Sequence, residues 1–313
     1  MHERSAINSG DFTIPGRLSR ASTAVQTAKA YFALTKPRIT LLIAISTAVG
    51  YTYGTEAGFR WVIFLNAVLG ASCMASGAAA LNQWFERATD AKMQRTKNRP
   101  LPTGWIQPSR ALLFGTILSL VGLLDLAIFA NLLAAALGLL TSLGYLFGYT
   151  PLKRVNPICT TVGALPGAMP PLIGFAAAAG HLTLPAWILF GILFLWQFPH
   201  FHAIAWLYRE DYEHAGIKML AVVRPNGKAL SFEILAALIL LIPVTLAPTF
   251  IHMTGRIYLV AAMFLNAGFL FYGVKMCRSR TRIHARRLLL ASVTYMPLLF
   301  AFLVFDNSRW TLR

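Results

Sequence analysis

Charged side chains are scarce in this chain. Only 12% of its 313 residues are Asp, Glu, Lys or Arg, about half the share of an ordinary soluble domain, and 57% are hydrophobic. That balance excludes a water-soluble globule and makes lipid the expected solvent. Acidic residues are the rarest charged class, 11 against 28 basic ones. Cysteine is nearly absent, and Cys73, Cys159 and Cys277 form no C-x-x-C pair. A disulfide framework and a cysteine zinc site are thereby excluded, leaving buried, reduced thiols. A secretory signal is also missing, because residues 1–30 hold no long apolar run ending at a small-residue cleavage site. Arg4, Arg17 and Arg20 make only a weak transit signal, interrupted by Glu3 and Asp11. Residues 1–30 therefore read as a polar, flexible cytoplasmic tail, ahead of one transmembrane domain over 31–308.

Long apolar runs, by contrast, are plentiful. A membrane span needs ~20 apolar residues, since a rise of ~1.5 Å per residue must cross ~30 Å of hydrocarbon. Nine runs qualify, at about 35–54, 61–85, 109–130, 132–150, 157–179, 186–208, 229–251, 256–275 and 288–306. The expected class is an all-α, polytopic membrane protein. Pro166, Pro170 and Pro171 in the fifth run and Pro199 in the sixth each remove a backbone donor, which predicts kinks or unwinding there. Lys and Arg concentrate on the cytoplasmic side of such proteins. With the amino terminus inside, 24 of the 28 basic residues fall in inside segments, and only Arg60, Arg256, Arg309 and Arg313 remain outside. This asymmetry predicts an N-in, C-out topology, and the expected location is the plasma (inner) membrane of a bacterium. It also accounts for the net charge of +17 without nucleic acid as a partner.

Polar residues break the apolar pattern in three places. The second run ends in Asn82, Glu86 and Asp90, four residues apart and so on one face of a continuing helix. Oxygen donors in a row at the membrane edge suit magnesium, which takes one or two carboxylates together with substrate phosphates. Charges at that depth are costly and usually functional. Arg87, Lys92, Arg95, Lys97 and Arg99 follow as donors for phosphate oxygens. After the sixth run, Glu210, Asp211 and Glu213 cluster at a second inner helix end. A diphosphate bridging two such clusters would be neutralised before its carbon–oxygen bond breaks, leaving an allylic cation. Glu210 and Glu213 read equally well as plain surface charge. Between the clusters, YTPLKR puts Tyr149, Lys153 and Arg154 at an inner loop.

These segments resemble the UbiA-type superfamily of intramembrane prenyltransferases, and within it the branch that farnesylates protohaem IX (haem O synthases). The branch pattern N-x-x-x-[DE]-x-x-x-D-x-x-M-x-R-T-x-x-R-P-L is met by Asn82, Glu86, Asp90, Met93, Arg95, Thr96, Arg99, Pro100 and Leu101. LTKPRI (Leu34–Ile39), YTPLKR, GALPGAMPPLIG (Gly163–Gly174), WQFPHF and DYEHAGIKML resemble it too, so the likeness spans about residues 31–223. The resemblance implies nine helices around a central cavity, with the site near the cytoplasmic face. It implies farnesyl diphosphate as donor, haem B as acceptor and magnesium as cofactor, with haem A synthase or a terminal oxidase assembly as downstream partner. Carried over, Asn82, Glu86, Asp90 and Asp211 hold the metal, and Arg95, Arg99, Tyr149, Lys153 and Arg154 bind diphosphate; Lys97 joins them as a basic donor of the same loop. Two departures stand out. Glu86 replaces a common Asp, and Asp211 is followed by Tyr212 where quinone-type members carry further aspartates.

His200 and His202 lie two residues apart on a helix and so point about 200° away from one another. The motif contains His200, which is assigned to the haem or diphosphate site, and His202 is not. No Ser-His-Asp or Cys-His arrangement is present for a covalent route. A prenyltransferase for an aromatic quinone precursor is the nearest alternative, and it would favour a second aspartate pair after the sixth run. A transporter of an anionic metabolite would instead need ionisable groups near the midplane or paired repeats with broken helices. Here the charges gather at one face.

Overall fold

The computed structural model describes residues 20–56 and 58–308. Fourteen α-helical segments and two π-helical turns make up the fold among the described residues, the α-helices being α1 Arg20–Leu34, α2 Pro37–Gly54, α3 Trp61–Asp90, α4 Pro108–Asp125, α5 Leu132–Leu143, α6 Thr150–Leu152, α7 Cys159–Ala168, α8 Pro170–Ala179, α9 Leu184–Leu207, α10 Arg209–His214, α11 Leu220–Val223, α12 Lys228–Phe250, α13 Arg256–Ser279 and α14 Arg282–Phe305. Among the described residues, eight helices are long and apolar enough to cross a bilayer. The bent pair of α1 and α2, inclined at 50°, brings the number to as many as nine. Lipid explains the outer surface, where Phe147, Phe232, Phe250, Phe264 and Phe305 are each more than two-thirds exposed. In water such a belt would drive aggregation.

Where helices touch, small residues let the backbones approach, as membrane packing without a hydrophobic drive requires. A methyl group on Gly174 would sit 1.9 Å from the Thr47 carbonyl oxygen, and one on Gly50 would sit 2.0 Å from that of Pro171. α2 and α8 are therefore in backbone contact. Polar side chains inside the bundle are matched to one another. Tyr258 donates to the Thr245 carbonyl at 2.8 Å, and Asn266 joins Thr245 Oγ1 at 2.7 Å to the Tyr295 hydroxyl at 2.8 Å. Cys159 and Cys277 are buried free thiols, and Cys73 is half-buried.

Three features depart from the sequence expectation. Residues 20–30, expected in the tail, form most of α1. The stretch is alanine-rich, which favours a helix, and Ala30 and Leu34 are fully buried against Ala80, Leu101, Ile106 and Ala111. The rest of the expected tail, residues 1–19, lies outside the described residues. The third and fourth runs end in π-helical turns, Leu126–Ala130 and Gly144–Tyr149, and apolar periodicity does not distinguish these from α-helix. The fifth run is split at Met169 between α7 and α8, as its prolines predict, whereas α9 continues as a helix through Pro199.

Candidate active site

Asn82, Glu86 and Asp90 occupy the last turns of α3, on one face as their spacing predicts, and are 1%, 8% and 1% exposed. Buried carboxylates need partners, and each finds one from a different part of the chain. Glu86 Oε1 lies 2.7 Å from Lys153 Nζ, and both side chains are 11% exposed. Asp90 Oδ2 lies 2.8 Å from Arg99 Nη1. Asn82 Oδ1 accepts from Lys36 Nζ and from the Tyr145 hydroxyl, each at 3.2 Å, while its amide donates to Thr150 Oγ1 at 3.1 Å. Arg154 donates to Thr89 Oγ1, one residue before Asp90.

Lys153 sits just beyond the span that ends at Leu152. Burial pulls its pKa down, but the Glu86 carboxylate and its hydrogen bond outweigh burial and hold the ammonium above its ordinary value. The Tyr149 ring adds a cation–π contact, 4.4 Å from Lys153 Nζ to the ring centroid. A π-helical turn carries Tyr145 and Tyr149, whose rings stack at 5.5 Å. Such turns recur at functional sites.

The second cluster divides. Asp211 meets the loop that follows α3, accepting from the backbone N–H groups of Gln94 at 3.2 Å and Arg95 at 3.1 Å. Arg95 then donates to the Tyr212 hydroxyl at 3.1 Å and lies over the Tyr208 and Tyr212 rings. The Lys218 N–H donates to the Lys153 carbonyl at 2.8 Å, so all three polar loops converge at one end of the bundle. Glu210 and Glu213 remain exposed, Glu210 with a 3.8 Å ion pair to Arg282. Lys97 is exposed. His200 bonds to Ser292 on α14 rather than to either carboxylate cluster.

Sequence reasoning did not assign Lys36, Thr89, Tyr145 or Thr150, all of which bond directly into the cluster. Lys36 had a local signal: it precedes Pro37, at the break between α1 and α2. Its backbone is left-handed, with φ 49° and ψ 61°, a conformation that costs about 1–2 kcal/mol for a residue with a side chain. The surrounding structure holds that strain and delivers the Lys36 Nζ to Asn82.

The donor set is of the kind a hard divalent cation takes, although its carboxylates are paired with Lys153 and Arg99 here. Three hard oxygen donors share one helix face, and among the described residues no group of three His, Cys, Asp or Glu side chains forms a cage of its own. An ion completed by substrate phosphates needs no such cage.

The description "UbiA prenyltransferase family" belongs to a family model that matches residues 43–304. A Protoheme IX farnesyltransferase of Solibacter usitatus is 50% identical over 286 residues, covering 88% of this chain and 98% of that protein. Another of the same name, from Koribacter versatilis, is 44% identical over 289 residues, with 89% and 93% covered. The solved structure of a UbiA homolog from Archaeoglobus fulgidus bound to GPP and Mg2+ shares the fold at TM-score 0.64 and 18% identity, with 88% of this chain and 99% of that one covered. A match through seven of the spans and beyond, together with full-length relatives, places the protein: it belongs to the UbiA prenyltransferase family.

Proposed function

We propose that this prenyltransferase moves a farnesyl group from farnesyl diphosphate to a vinyl group of haem B, with addition of water, giving haem O for terminal oxidases. The acceptor rests on one observation, near full-length relatedness at up to 50% identity to proteins named Protoheme IX farnesyltransferase. Direct transfer from labelled farnesyl diphosphate to haem B by the purified chain tests it.

Asn82, Glu86, Asp90 and Asp211 would hold magnesium, in line with the Mg2+ bound in the Archaeoglobus relative. Bound there, the ion supplies charge neutralisation of the leaving diphosphate. Lys153, Arg99 and Lys36 pair with these same oxygen donors at rest. Released from them, the three cations turn to the phosphate oxygens, and Arg95, Arg154 and Tyr149 complete the rim. The carbon–oxygen bond of the donor then ionises, and the haem vinyl group attacks the farnesyl cation. Water captures the resulting porphyrin-side cation and gives up a proton, leaving a hydroxyl group. Apolar walls keep water from the farnesyl cation until the vinyl group arrives.

Lys36→Gly separates the role of the ammonium from the strain of its backbone. Glycine accepts the left-handed conformation freely, which offsets the lost hydrogen bond, so the melting temperature should hardly change. The KM for farnesyl diphosphate should rise about tenfold, the equivalent of ~1.5 kcal/mol for one charged hydrogen bond. An unchanged KM would place Lys36 outside the donor site.

We further propose a bacterial plasma (inner) membrane location with the site facing the cytoplasm, from the split of 24 basic residues to 4. A reporter active only outside the cytoplasm should work when fused after Arg313 and stay silent when fused after Gly104. The opposite pattern would mean that the orientation is inverted, with a span miscounted ahead of Gly104 or the amino terminus outside.

A further inference from the structure

His200 and His202 stand on α9 in opposite chemical states. His202 is 1% exposed, with Nε2 2.7 Å from Glu233 Oε2 and Nδ1 sealed in without a partner. His200 is half-buried, its ring stacked on Trp196 at 4.8 Å and 22°. Its Nδ1 lies 2.8 Å from Ser292 Oγ. Counting hydrogens assigns the proton in that contact. Ser292 has one hydroxyl hydrogen, and it goes to the Leu289 carbonyl at 2.7 Å. With that hydrogen on the Leu289 carbonyl, the hydroxyl accepts from His200, which puts the hydrogen on Nδ1 and leaves a free lone pair on Nε2 of a neutral imidazole.

That lone pair is available. Nε2 of His200 bonds to no described residue, and it is not one of the buried polar atoms left without a partner, so it reaches the surface. The ring is also held firmly. Trp196, on which it stacks, donates through Nε1 to the Ser292 carbonyl at 2.9 Å, so one residue of α14 fixes both the stack and the tautomer. At eight residues before Tyr208, His200 sits about 12 Å up the helix from its inner end, within the apolar span Leu184–Leu207.

We infer that His200 Nε2 is an axial ligand to the iron of the haem acceptor, and that Ser292 is the positioning residue that fixes the ligating tautomer. The inference rests on haem being the acceptor. Coordination donates the Nε2 lone pair to iron, Nδ1 keeps its proton, and no electron is transferred. A metal-bound histidine whose other nitrogen donates to a nearby acceptor is the usual arrangement. His202 cannot take this role, because its unpartnered nitrogen is sealed. Ligation would also anchor the porphyrin by its centre, leaving the vinyl edge to meet the farnesyl chain.

The experiment titrates the purified full-length protein with haem B in the absence of farnesyl diphosphate. It reads the Soret band, the electron paramagnetic resonance of the ferric form and the iron–histidine Raman stretch of the ferrous form. Transfer is assayed in parallel. The wild type should give a histidine-ligated spectrum. His200→Gly should lose it, with haem binding weakened at least about tenfold, and added imidazole should restore both spectrum and turnover. His200→Gln makes the same test at similar volume if the glycine variant fails to fold. Ser292→Ala should keep the ligand, lower the Raman frequency because Nδ1–H loses its acceptor, and leave the KM for farnesyl diphosphate unchanged. A wild type that farnesylates haem B, with the same haem spectrum in both His200 variants, overturns the ligation and leaves the acceptor standing. A wild type that ligates or ignores haem but never farnesylates it overturns the acceptor itself.

Discussion

Asp90→Asn is expected to cut prenyl transfer by roughly 100- to 1,000-fold, the scale on which one electrostatic partner of a developing charge matters, while the chain stays folded. Asp90 is 1% exposed at the final residue of α3, with Oδ2 on Arg99 at 2.8 Å and its carbonyl accepting from Thr96 at 2.8 Å. Asparagine keeps the volume, the backbone bond and an oxygen for Arg99. What it removes is the negative charge that a divalent cation needs. The Arg99 side chain is 27% exposed, so water can serve the guanidinium in the variant, and stability should fall only slightly. Turnover of the detergent-purified variant, compared with its yield and monodispersity, checks this. Near-normal turnover would remove Asp90 from the metal site.

Lys153→Met is the other large effect, and it should strike stability as well as activity. Removing one partner of a buried ion pair strands the other charge, at a cost of about 3–5 kcal/mol, and here both side chains are 11% exposed. The double variant Glu86→Gln/Lys153→Met should regain most of the lost melting temperature, because no charge is then buried alone. Its activity should stay absent, since a metal ligand and a phosphate donor are both gone. A single variant that melts like the wild type would show that the pair carries no structural weight. A double variant with recovered activity would show that neither group serves catalysis.

How far the sequence revealed these groups depends on the range of the interaction. The Asn82–Glu86–Asp90 row was legible because four-residue spacing and an apolar background are local facts, and α3 does extend to Asp90. Its partners were not. Glu86 and Lys153 are 67 residues apart in sequence, and only the packing of α3 against the end of the fourth span brings them together. Lys153 was still flagged, by charge and motif, whereas Lys36 was passed over because its site position depends on a left-handed backbone at a helix break. Asp211 reads as a metal ligand through the family resemblance, which picks it out of a carboxylate cluster. Its two bonds to the backbone N–H groups of Gln94 and Arg95 could not be foreseen, since main-chain donors leave no mark in the sequence. α1 escaped for a related reason. Its mean hydropathy is low, and its helix is favoured by alanine and by the burial of Ala30 and Leu34, a tertiary contact.

The chemistry of the acceptor carries the functional reading, so the most direct test supplies the substrates. Purified protein given farnesyl diphosphate, magnesium and haem B should release diphosphate. It should also yield a haem heavier by one farnesyl group and one hydroxyl group, as read by mass spectrometry and by the loss of one vinyl group from the absorption spectrum. A chelator should stop the reaction, because an unneutralised diphosphate is a poor leaving group. Haem that stays unmodified while an aromatic acid such as 4-hydroxybenzoate is prenylated would contradict the haem assignment and leave only the prenyltransferase.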